Sequence, residues 1–80
     1  MSLNAKLAKI ESILVNHYTN TGRNDQSVRE LVYGVMNSLT AKGATTETAL
    51  SELTVDDLDT IPVLVARQII RAIGANTTEI

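Results

Sequence analysis

The sequence predicts an all-α fold: a small four-helix bundle with a short or broken third helix, open to completion by dimerisation. Three observations predict it. Apolar residues recur at steps of three and four along separate stretches, the spacing of one helix face, as at Leu3, Leu7, Ile10 and Leu14. No stretch shows the apolar–polar alternation of a half-buried strand. Leu, Ile and Val supply 23 of the 80 residues, with Tyr18 and Tyr33 the only aromatics. Such an aliphatic stock suits helices packed ridge into groove.

The first helix is expected over 3–20, its stripe running from Leu3 to His17 and widened by Ile13 and Tyr18. Asn20 and Gly22 supply the stop. A second helix is expected over 26–42, opened by a capping-box pair of Ser27 and Glu30 and closed by Gly43. Its stripe is Val28, Leu31, Val32, Val35, Met36 and Leu39. The segment 46–59 reads as two short helical pieces, capped by Thr45 or Thr46 and by Thr54 with Asp57. Pro62 suits the first turn of a last helix over 62–73, which stops at Gly74. One domain over 1–74 is expected, followed by a flexible tail over 75–80.

Composition narrows the function. Absence of cysteine removes disulfides and thiolate zinc sites. The net charge is −2, with five acids and no base between residues 44 and 60, a balance unlike the basic stripe of a general nucleic-acid binder. The longest apolar run, Ile61 to Ala66, is far shorter than the roughly 20 residues that span a bilayer. Lys6, Lys9 and Glu11 interrupt the N-terminal apolar residues, so no secretory leader is expected and cytoplasmic residence is.

Two polar features invite a site. Asp56, Asp57 and Asp59 lack the glycine and twelfth-position glutamate of a calcium loop, and they read as acids at a helix N-terminus. His17 has no nucleophile with a local signature beside it and reads as a half-buried residue near a helix C-terminus. No enzyme, metal or cofactor is expected.

The stretch "LDTIPVLVARQII" resembles a helix-hairpin-helix DNA-binding element at Leu58, Ile61, Pro62, Leu64, Ala66 and Ile70. The resemblance implies phosphate contact through two glycines, but Val63 and Val65 stand in their places and block that approach. "VDDLDTI" is similar to acyl carrier proteins, whose attachment serine is here Leu58. The small aliphatic four-helix architecture resembles the bacteriocin immunity proteins of Gram-positive bacteria.

The last helix carries the functional expectation. Its buried arc is read as Pro62, Val65, Ala66, Ile69, Ile70 and Ile73, with Val63 and Leu64 extending apolar surface round the sides. Arg67 and Arg71, four apart, lack an acid within four residues. The expected contact surface is therefore Leu64, Arg67, Gln68 and Arg71. Two roles are open to the arginines: ion pairs with Asp56, Asp57 or Asp59, or grip on a partner's carboxylate or phosphate. The expected function is a non-enzymatic helical interaction module of regulatory or adaptor type, bound to a protein partner, to itself through the last helix, or to a small anionic ligand. The alternative is a small immunity, antitoxin or phage anti-defence protein that binds a toxin, receptor or signalling nucleotide.

Overall fold

A computed structural model describes residues 2–75. It contains α1 (Leu3–Asn20), α2 (Asp25–Ala41), α3 (Glu47–Ser51), a single 3-10 turn (Val55–Leu58) and α4 (Val63–Ile73), with no strand among the described residues. The all-α expectation holds, including the broken third helix. α1 lies at the centre, packed against α2, α3 and α4, and the 3-10 turn packs on α4. Among the described residues, no helix is long and apolar enough to cross a membrane.

α1 starts where the Ser2 hydroxyl accepts a hydrogen bond from the Ala5 N–H at 3.2 Å. Its buried seam is Lys6, Ile10, Leu14 and Tyr18, with Leu3, Leu7 and Ile13 partly buried beside it. The seam ends on Tyr18 and not on His17. Steps of four advance slightly more than one turn, so the row runs oblique to the axis and meets neighbours on both sides. Lys6 heads this row at 9 % exposure, its methylene stem supplying apolar cover.

α2 begins two residues before the expected Ser27 cap. Asn24 is the cap, its Oδ1 accepting from the Ser27 N–H at 2.8 Å, and Asp25 places an acid in the first turn. Asparagine caps at least as well as serine, so the earlier residue prevails. Val28, Val32, Val35 and Leu39 are buried, whereas Leu31 and Met36 are only partly covered. At the C-terminus Gly43 adopts φ 98°, and the Ala44 N–H donates to the Leu39 carbonyl at 2.9 Å. This six-to-one bond closes the helix, and Ala44 turns into the core behind it.

The third region follows its caps. The Thr46 hydroxyl accepts from the Ala49 N–H at 3.1 Å to open α3, which buries Leu50. Asp57 Oδ2 accepts from the Thr54 N–H at 3.0 Å and from its hydroxyl at 3.2 Å, tying down the 3-10 turn. Leu53, Leu58 and Ile61 then enter the core.

Pro62 lies outside α4. Its extended backbone (ψ 146°) makes it the residue before the helix, its carbonyl accepts from the Ala66 N–H at 3.0 Å, and its ring is exposed. The buried arc is therefore Val65, Ala66, Ile69, Ile70 and Ile73, without Pro62. Gly74 (φ 71°) repeats the closure of α2: the Ala75 N–H donates to the Ile70 carbonyl at 3.0 Å. Ala75, assigned by the sequence to the tail, is 1 % exposed and belongs to the folded body. The rest of that tail, 76–80, lies outside the described residues.

Candidate functional site

α4 is two-faced because its composition changes every half turn. The buried arc packs on α1 and the 3-10 turn, the opposite side presents Leu64, Arg67, Gln68 and Arg71, and Val63 is exposed on the flank. Positions 64, 67, 68 and 71 fall at i, i+3, i+4 and i+7, so all four expected contact residues share one exposed face. Leu64 is 69 % exposed and Val63 52 %, two adjacent branched aliphatics open to solvent.

Two of the three acids expected to hold the arginines are engaged elsewhere, and the third, Asp56, forms no ion pair among the described residues. Asp57 caps the 3-10 turn. Asp59 pairs with Lys42 at 3.4 Å, and Lys42 Nζ also donates to the Asp57 carbonyl at 2.7 Å. Lys42–Asp59 is the one ion pair among the described residues, so Arg67 and Arg71 form none there. An aliphatic side chain one turn from one uncommitted guanidinium group and two turns from another can bury against an apolar notch while the guanidiniums grip carboxylates bidentately.

Gln68 borders a second feature, a groove of about 410 Å³ between α1 and α4 that also takes in Asn16, His17 and Asn20. His17 is half-buried there, its ring 5.0 Å from that of Tyr18 and tilted by 56°. This fits its reading as a packed residue of the last turn of α1. Among the described residues no three histidine or acidic groups converge as a ligand set. Asp57 and Asp59 serve a cap and a surface ion pair.

Sequence reading missed a further depression. Between α1 and α2 an open groove of about 910 Å³ is lined by Ala8, Glu11 and Val15 from one helix and Arg29, Tyr33 and Met36 from the other, over a floor of Leu7 and Val32. Tyr33 is 69 % exposed in it and Val15 38 %. The available signal was a second set of helical spacings, Ala8–Glu11–Val15 and Arg29–Tyr33–Met36, beside the core stripes.

No protein-family model, curated protein or solved structure matches the chain, so the geometry alone carries the functional argument.

Proposed function

We propose that this chain is a non-enzymatic interaction module that acts by binding another protein through the outer face of α4. The supporting observation is Leu64, largely exposed beside Arg67 and Arg71, whose guanidiniums form no ion pair among the described residues. The fitting partner presents carboxylates around an apolar notch. Burying Leu64 contributes about 1.5–3 kcal/mol, and two bidentate arginine–carboxylate contacts supply orientation. Gln68 adds a neutral donor and acceptor on the same face. An adaptor or regulatory role follows from this division: the buried arc holds the fold and the outer face stays available.

The chain contains no cysteine, so Val63→Cys, half-exposed beside the contact face, creates a unique attachment point for a photo-cross-linker and leaves Leu64 in place. In host extract it is expected to capture an acidic protein, and adding Arg67→Ala and Arg71→Ala is expected to abolish that capture. The double variant should unfold within about 0.5 kcal/mol of the unsubstituted protein, as exposed positions do. Capture at equal yield without the arginines would remove the proposal, and so would loss of stability in the double variant.

A further inference from the structure

Two exposed faces need different occupants, and their charges distinguish them. The α4 face carries Arg67 and Arg71 and no acid. A two-fold contact places the same patch on both sides of an interface, so self-association there gathers four guanidiniums. Like charges at a contact repel, which directs that face to a foreign, acidic partner.

The groove between α1 and α2 has the opposite character. Glu11 on α1 and Arg29 and Glu30 on α2 border it, both signs on one rim, and none of the three forms an ion pair among the described residues. In a two-fold contact across this groove the Arg29 of each copy can meet Glu11 or Glu30 of the other, so every pairing of opposite charges occurs twice. Its apolar part is Leu7, Val15, Val32, Tyr33 and Met36, with Ala8 keeping the α1 side low. Tyrosine is among the side chains most enriched at protein interfaces, and this chain exposes one of its two tyrosines here. The spacings Ala8–Glu11–Val15 and Arg29–Tyr33–Met36 follow the three-four alternation by which antiparallel helix pairs interlock.

Other occupants fit less well. A rim of two acids and one arginine offers little steering to nucleic acid or to a strongly charged peptide. A small molecule needs a concave site with convergent polar groups, and this depression lies open along two helices.

We infer that a second copy of this chain docks in the α1–α2 groove, two helical hairpins closing face to face into a four-helix interface. By helical periodicity of about 100° per residue, Ala8, Glu11 and Val15 lie on the opposite flank of α1 from Asn16, His17 and Asn20, which border α4. The dimer therefore leaves both α4 faces outward. The inference is independent of the reading of α4, since each uses residues the other does not.

Sedimentation equilibrium on the full chain tests it. The unsubstituted protein is expected to dimerise, and Tyr33→Asp to raise the dissociation constant about 30-fold or more, the effect of losing an interface hot spot. Far-UV circular dichroism should show unchanged helicity, because Tyr33 is mostly exposed within one chain. Leu64→Glu should leave the dimer intact. Arg29→Glu should weaken it about tenfold at low salt and much less at high salt. A monomer at all accessible concentrations overturns the inference. A dimer that survives Tyr33→Asp and Arg29→Glu but is lost in Leu64→Glu overturns it equally, by moving the contact to α4.

Discussion

Gly34 lies inside α2, and nothing lies within 4 Å of where a Cβ would be built on it. Glycine in a helix interior costs about 0.5–1 kcal/mol relative to alanine. Gly34→Ala is therefore expected to stabilise by about that amount, read as a higher urea midpoint at unchanged slope. Nine residues on, Gly43 has the same empty surroundings but a backbone φ of 98°. There alanine must adopt a conformation that its Cβ disfavours, so Gly43→Ala is expected to destabilise by about 1 kcal/mol. Equal space thus predicts opposite signs, and the backbone decides between them. Lys42, beside Gly43, bonds to the Asp57 carbonyl and Asp59, but both partners of its ion pair are partly or largely exposed. Its loss should cost no more than about 1 kcal/mol, the scale of a surface pair.

At the scale of elements, the caps test how far a helix start can be read from sequence. Ser27 and Glu30 have capping-box spacing, but the side chain that takes up a first-turn N–H is that of Asn24. Asn24→Ala is expected to lower stability by about 1 kcal/mol and Ser27→Ala by no more than a few tenths, compared by urea unfolding of the two variants. Both residue types cap well, and local spacing does not say which of two candidates three residues apart will have the extended backbone. Thr54 and Asp57 were legible from their capping-box spacing, whereas Thr46 was one of two adjacent threonines between which the sequence left the cap open. The outer face of α4 was legible for a similar reason: Leu64, Arg67, Gln68 and Arg71 sit together on any regular helix. The α1–α2 groove was not. Met36 and Val32 fit the core stripe of α2 equally well in sequence, and only the docking of α3 and α4 on α1 decides which flank remains open. His17 and Tyr18 show the same limit. A one-residue difference on a helix is about 100°, and the oblique path of the seam chose Tyr18.

For the whole molecule, α1 is the shared wall, and Leu14, like Ile10, is fully buried in its seam. A chain of this length has a total stability of about 4–12 kcal/mol. Leu14→Ala is expected to remove about 2–5 kcal/mol, a large share of it. Burial around Leu14 belongs to one chain, whereas Tyr33 is available to a second. A pairing that exists only in the folded state raises apparent stability with protein concentration, by about 1.4 kcal/mol per dimer, or about 0.7 kcal/mol per chain, for each tenfold increase once dimers dominate. The weakened Leu14→Ala protein should therefore show a urea midpoint that climbs steeply between about 5 µM and about 500 µM. Adding Tyr33→Asp should flatten that dependence while leaving the low-concentration midpoint nearly unchanged. Adding Leu64→Glu should leave the slope intact. Flat curves for Leu14→Ala with and without Tyr33→Asp would show that stability resides wholly within one chain, whereas two curves that climb in parallel would move the contact away from the exposed tyrosine.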